Sequence, residues 1–206
     1  MTANHAKISA PAALAELKAG HERFVRAISK HPHSSQQRLN HLIKGQHPLA
    51  MVLSCSDSRV PIELLFDVGF GDLFVIRNAG NACTEGSLAS IEYGLEGLNI
   101  DLLVVLGHEG CGAVGAACSD HASLSPSLAK LVLHIRQGLL AADVALKSEL
   151  AVRRHPVLTA EQLIRSSQLV RERVSNGALV IEPACYTFDH GNIEWMGTVG
   201  PVAGLA

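Results

Sequence analysis

Aromatic residues are scarce in this chain: five Phe, two Tyr and one Trp among 206 residues. An interior of that composition has to be built mainly from Ala, Leu, Val and Ile. An excess of charge is missing as well. Seventeen Lys and Arg face nineteen Asp and Glu, giving a net charge of −2, and no basic block interrupts the chain. Nothing therefore favours nucleic acid or an anionic membrane surface as a partner. No apolar run approaches the ~20 residues needed to span a bilayer. The opening residues, Met1-Thr2-Ala3-Asn4-His5-Ala6-Lys7, lack the apolar stretch of a signal peptide. The five cysteines, at 55, 83, 111, 118 and 185, are odd in number and follow no disulfide-framework spacing. A reducing cytoplasm is the expected compartment, and an internal bacterial compartment would leave the same signature. The glycines around 107–115 surround a helix start that could cradle a phosphate, but no Lys-Ser/Thr closes a P-loop there.

What is present suits one α/β domain. Apolar residues make up 48% of the chain and the mean hydropathy is +0.22, enough for a sizeable core or an extensive subunit interface. Residues 11–29 carry Leu14, Leu17, Phe24, Val25 and Ile28 at helical spacing. A polar, His-rich connector over 30–37 and a short helical turn region to Gly45 complete an N-terminal helical arm at about 10–45. Four apolar runs predict buried strands at 49–54, 73–76, 102–106 and 178–182. Helical patterns at 86–98, 111–118, 128–150 and 160–174 lie among them. Unbroken apolar strands alternating with helices imply a mostly parallel sheet covered on both faces. Ligand sites in such sheets lie beyond the carboxyl ends of the strands.

Cys55 and His108 fall at two of those strand ends, and Cys111 follows His108 by three positions. Two thiols and one imidazole form a ligand set that suits zinc. Three protein ligands leave a fourth tetrahedral position open, as in catalytic rather than structural zinc sites. Asp57 and Arg59 follow Cys55 at two and four positions. An isolated Asp–Arg pair is usually a surface salt bridge of little weight. Beside a metal, an Asp held by a bidentate Arg can accept a hydroxide proton and aim an oxygen lone pair at an electrophile. Cys83, Cys118 and Cys185 read as small buried hydrophobes.

These motifs resemble the β-class carbonic anhydrases. Cys55-Ser56-Asp57-Ser58-Arg59-Val60-Pro61 and Gly107-His108-x-x-Cys111-Gly112 match the two signatures of that family in the right order. Val75-Ile76-Arg77-Asn78-Ala79-Gly80-Asn81, Gly86-Ser87-Leu88-x-Ser90-Ile91-Glu92-Tyr93 and Gly45-Gln46-His47-Pro48 are similar to further family segments, so the resemblance is strong over 39–114. It implies four parallel strands plus one antiparallel strand, and a homodimer or higher homo-oligomer with its sites near the interface. One Zn2+ per chain would be bound by Cys55, His108 and Cys111, with Asp57 and Arg59 orienting metal-bound hydroxide. Gln46 would reach across the dimer interface to substrate or bicarbonate. Phe74 and Tyr93 would line the pocket, and the Gly112 amide would lie near the substrate. The implied activity is that of a zinc lyase, reversible hydration of CO2 to bicarbonate and a proton. Carbonyl sulfide or carbon disulfide hydrolysis on the same scaffold is the alternative within enzymes. A non-catalytic zinc-binding assembly subunit is the alternative outside them, and Asp57, Arg59 and Gln46 argue against it. Of eleven His residues, His47 beside Gln46 is the candidate proton carrier. The helix at 11–29 is expected to pack on the partner, covering Leu17 and Phe24.

Three departures from the family pattern stand out. Glu109 replaces a small Ser or Thr, and an acidic group this near zinc could slow release of an anionic product. Cys83 replaces an aliphatic residue. Val52 stands where some members carry the Trp of a non-catalytic bicarbonate pocket, so that pocket is expected to be absent or weak.

Overall fold

The computed structural model of the chain describes residues 8–119 and 123–202. Residues 1–7, on which the signal-peptide reading rests, lie outside the described residues. In chain order the elements are α1 (Ala10–Val25), α2 (Gln36–Leu42), β1 (Ala50–Cys55), α3 (Ile62–Leu65) and β2 (Leu73–Asn78). A 3-10 turn (Ala79–Asn81) leads to α4 (Glu85–Glu96), β3 (Leu102–His108), α5 (Gly112–Cys118), α6 (Pro126–Ala141) and α7 (Ser148–Ser166). The last elements among the described residues are α8 (Gln168–Ser175), β4 (Val180–Tyr186) and β5 (Ile193–Trp195). The strands form one sheet in the order β2-β1-β3-β4-β5. The first four are parallel, and β5 runs antiparallel to β4.

Every residue of β1 and β3 is buried, which explains why these strands read as unbroken apolar runs. Side chains alternate between two faces. Met51, Leu53, Leu103 and Val105 pack with Ile91 and Leu95 of α4 and with Leu163 and Ile164 of α7. Val52, Leu102, Val104 and Leu106 pack on the other face with Leu17 of α1 and with Leu65 and Phe66. Each such Leu or Ile contributes about 1.5–3 kcal/mol by leaving water. No helix among the described residues is long and apolar enough to cross a membrane.

Several expectations are corrected. The arm does not reserve Leu17 for a partner. Ala10, Ala13, Leu17, Gly20 and His21 form a buried stripe at spacings of three and four against this chain's own sheet. The contact is close: a Cβ on Gly20 would lie 1.9 Å from the Phe66 carbonyl oxygen. Phe24 packs at the margin of the same cluster. The connector after α1 is anchored by Asp67, which is buried; it accepts from Arg23 Nε at 2.5 Å and from the Lys30 and His31 amides.

The helices expected at 128–150 and 160–174 are three: α6, α7 and α8. Pro156 sits inside α7. A proline has no N–H for the carbonyl four residues back, here Val152. The Cys185 thiol donates to that carbonyl at 3.8 Å, and burial pushes its pKa up to about 11, keeping the proton in place. Pro156 also lies against Gly107 of β3, where a Cβ would come within 2.5 Å of its Cγ. Ser167 separates α7 from α8 by accepting from the Val170 amide. β4 begins two residues later than expected and runs on to Tyr186, through Pro183, whose carbonyl still accepts from the Met196 amide.

Candidate metal and catalytic site

β1 and β3 are neighbours, so their last residues, Cys55 and His108, come together at one edge of the sheet. Gly110, at φ 62°, turns the chain after β3, and Cys111 becomes the residue preceding α5. The result is a buried Cys55–His108–Cys111 group whose ligand atoms all lie within 4.8 Å of one another. The two Sγ atoms are 3.9 Å apart. A tetrahedral centre with Zn–S bonds of ~2.3 Å requires ~3.8 Å between its sulfurs. His108 Nδ1–H donates to the Glu109 carbonyl at 2.8 Å, which leaves Nε2 as the bare nitrogen. That Nε2 is fully buried and has no hydrogen-bond partner. The Cys111 thiol beside it lowers the Cys55 pKa, against the effect of burial, and His108 and the Gly80 amide add to the lowering. The same contact pushes Cys111 up. Two thiolates this close need a cation between them, so the donor set fits zinc.

Gly80 supports Cys55 directly. Its N–H donates to Cys55 Sγ at 3.3 Å, and its carbonyl accepts from His155 Nε2 at 2.7 Å. The backbone at Gly80 has φ 73°, a left-handed conformation that favours glycine. A Cβ there would also lie 2.9 Å from Ile135 Cδ1. His155, on α7, is buried, and burial pushes its pKa down to about 4. The ring is therefore neutral and can donate from Nε2.

Asp57 and Arg59 form the expected pair. Arg59 Nε donates to Oδ1 at 2.9 Å and its terminal nitrogen to Oδ2 at 2.7 Å, while the Arg59 amide also donates to Oδ1. The guanidinium holds the Asp57 carboxyl far below the usual carboxylate range. Asp57 Oδ2 lies 3.9 Å from His108 Nε2, facing the ligand group. Arg77 braces the loop by donating to the Cys55 and Asp57 carbonyls at 2.7–2.9 Å. Gly112 opens α5 beside Cys111, and both line a cavity of about 520 Å³ with Glu109, Arg153 and Cys185. Gly110, Gly112 and Gly115 stand at G-x-G-x-x-G spacing, a weak signal on its own; Cys111 inside the turn directs its sulfur into the ligand group.

The other expected residues are not brought to this chain's own ligand group. Gln46 and His47 are exposed on the loop before β1. Phe74 lies opposite Met51 in the β1–β2 register, and its ring is 5.9 Å from that of Tyr93, which is 54% exposed. From Ala50 to Cys55 a strand advances about 17 Å. Gln46, Phe74 and Tyr93 thus gather towards the start of the strands, opposite the end that holds Cys55. Val52 is fully buried in the core and Cys83 is buried beneath α4 and α7. The glutamate at 109 is tied down, since its Oε1 accepts from the Phe188 amide. Phe188, His155 and the bracing roles of Gly80 and Arg77 were not legible beforehand. Gly80 and Arg77 lay inside a family-like segment, whereas Phe188 and His155 had no local signal.

Comparison with known proteins agrees with the geometry. The carbonic anhydrase family model matches residues 50–193, more than half of the chain. The chain belongs to the β-carbonic anhydrase family. Carbonic anhydrase 2 of Mycobacterium tuberculosis is 36% identical over 196 residues, covering 93% of this chain and 95% of that protein. The carbonic anhydrase of Mycolicibacterium smegmatis is 34% identical with the same coverage. Among solved structures, the β-carbonic anhydrase CcaA superposes with a TM-score of 0.69 at 27% identity, covering 93% of each chain. Two tetrameric β-carbonic anhydrases of Sordaria macrospora share the fold, with a TM-score of 0.67 at 24% identity, over 92% of this chain and 98% of theirs.

Proposed function

We propose that this β-carbonic anhydrase catalyses the reversible hydration of CO2 to bicarbonate and a proton, with one zinc ion held by Cys55, His108 and Cys111. The observation that carries the reading is the unpartnered His108 Nε2, buried among two thiols and 3.9 Å from a carboxylate oxygen locked by arginine. When bound, zinc acts as a Lewis acid that lowers the pKa of water toward ~7 and so supplies a nucleophile near neutral pH.

The chain's own residues supply the orientation. Asp57 Oδ2 accepts a hydrogen bond from the attacking oxygen, which turns a lone pair of that oxygen toward the carbon of CO2. Because Arg59 keeps Asp57 ionised and rotationally fixed, the acceptor stays in place through the attack. The Arg59 cation also favours the anionic product beside it. Gln46 acts from the partner subunit, its amide donating to an oxygen of substrate or bicarbonate, because its own Cys55 lies a strand length away. Phe74 and Tyr93 travel with Gln46 and give the partner's pocket an apolar wall, suited to a linear substrate with no dipole. The Gly112 amide lies close enough to Cys111 to face the substrate, and His47, exposed beside Gln46, carries the proton outward. The working unit is accordingly a homodimer or a larger homo-oligomer. We place it in a reducing cytoplasm, in keeping with its five free cysteines.

Stopped-flow measurement of CO2 hydration by the purified, zinc-loaded protein tests the reading. Turnover far above the uncatalysed rate is expected. A protein with full zinc occupancy and no such turnover would overturn it.

A further inference from the structure

Phe188 belongs to neither signature, yet it touches the catalytic pair. It sits in the turn between β4 and β5, closed by the Thr187 amide donating to the Asn192 carbonyl at 2.8 Å. The Arg59 guanidinium lies over its ring, 4.3 Å from the centroid. The same ring is 5.7 Å from that of His108, and the ring of Tyr186 meets it edge-on at 5.4 Å and 90°. Its backbone is fastened by Glu109, whose Oε1 accepts the Phe188 N–H and whose own amide donates to the Tyr186 carbonyl at 2.9 Å. Glu109 directly follows the ligand His108, so the clasp runs without a break from the ligand group to the face of Arg59.

Building on the function proposed above, we propose that Phe188, clasped by Glu109, is a positioning residue for Arg59. One edge of the Arg59 guanidinium, Nε and a terminal nitrogen, goes to Asp57, and its side chain is 57% exposed. A guanidinium held only at its edge can still swing with its carboxylate. Stacking on an aromatic face removes that motion. The clasp also accounts for an acidic residue at 109, because its carboxylate serves as the hydrogen-bond acceptor for the turn. A serine or threonine at 109 has too short a side chain to reach the same amide in the same way.

The test uses the zinc-loaded protein and the variants Phe188→Leu, Phe188→Trp, Glu109→Ala, Glu109→Gln and the Phe188→Leu/Glu109→Ala double. Three quantities are read: kcat for CO2 hydration, zinc content, and the order of the Arg59 Nε–H group by ¹⁵N relaxation. An exposed cation–π contact corresponds to about a 2- to 5-fold effect. Phe188→Leu and Glu109→Ala should each lower kcat by that factor, with zinc retained and Arg59 more mobile. The Trp and Gln variants should recover part of the loss, and the double variant should be no worse than either single. Unchanged Arg59 order in Phe188→Leu, loss of zinc from it, or a Gln variant as impaired as the Ala variant would each overturn the proposal. Should the wild-type protein prove inactive on CO2, the functional reading fails, while the Arg59 relaxation still decides the clasp.

Discussion

Replacing His155 by Gln probes the connection between the core and the ligand group. The imidazole, carried by α7, is buried, donates to the Gly80 carbonyl, and has its pKa pushed down from 6.5 to about 4. Burial is the main cause, the hydrogen bond to Gly80 opposes it, and the neighbouring His134 adds to the lowering. Below pH 6.5 the unfolded chain takes up a proton that the folded ring refuses, so stability falls as pH falls. The loss stops growing near pH 4, where the folded ring protonates as well. At 1.36 kcal/mol per unit, this one residue withdraws about 1.4 kcal/mol by pH 5.5 and about 3 kcal/mol by pH 4. The glutamine of His155→Gln does not titrate, so the stability advantage of wild type over the variant should shrink by those amounts on acidification. Urea unfolding at a fixed protein concentration across pH 4 to 7.5 reads the difference directly. His21, also lowered by burial, contributes in the same direction and is common to both proteins. Parallel stability curves between pH 7 and 5 would refute the reasoning, as would an NMR titration of the folded protein showing the His155 ring protonating near 6.5.

Four further outcomes follow from the site. Cys111→Ser should lose zinc and activity together, measured by metal analysis and stopped flow, and full zinc occupancy would overturn the ligand assignment. Arg59→Ala should keep its zinc yet lose about 10²–10³-fold in kcat, a loss typical of removing an orienting electrostatic group; a crystal structure of the wild type near neutral pH should show Asp57 paired with Arg59, and an Asp57 oxygen at ~2.0 Å from the metal would contradict an open site. Mixing inactive Cys111→Ser with impaired Gln46→Ala chains should restore about a quarter of the wild-type sites once subunits exchange, because half of the chains form heterodimers with one intact site each; no recovery in a mixture shown to contain heterodimers would place Gln46 elsewhere.

What the sequence by itself determined was local and chemical. The apolar runs ending at Cys55 and His108 announced parallel strands, because a strand buried on both faces has no polar positions to interrupt it. The i, i+3 spacing of His108 and Cys111 placed two candidate ligands on one turn, and Asp57 and Arg59 lay close enough in the chain to pair. Tertiary structure decided everything that depends on direction and distance. The helix expected from 160 starts at Ser148 instead and runs through Pro156, where the Cys185 thiol on β4 donates to the Val152 carbonyl that the proline leaves free. Leu17 looked available to a partner until α1 was seen packed on its own sheet, with Gly20 against Phe66. His155 and Phe188 lie far from the ligands in sequence, and only the approach of α7 and of the β4–β5 turn brings them to Gly80 and Arg59. Gln46 is close to Cys55 in sequence and remote in space, since β1 is extended: nine residues of separation that include a full strand put the two at opposite ends of the sheet.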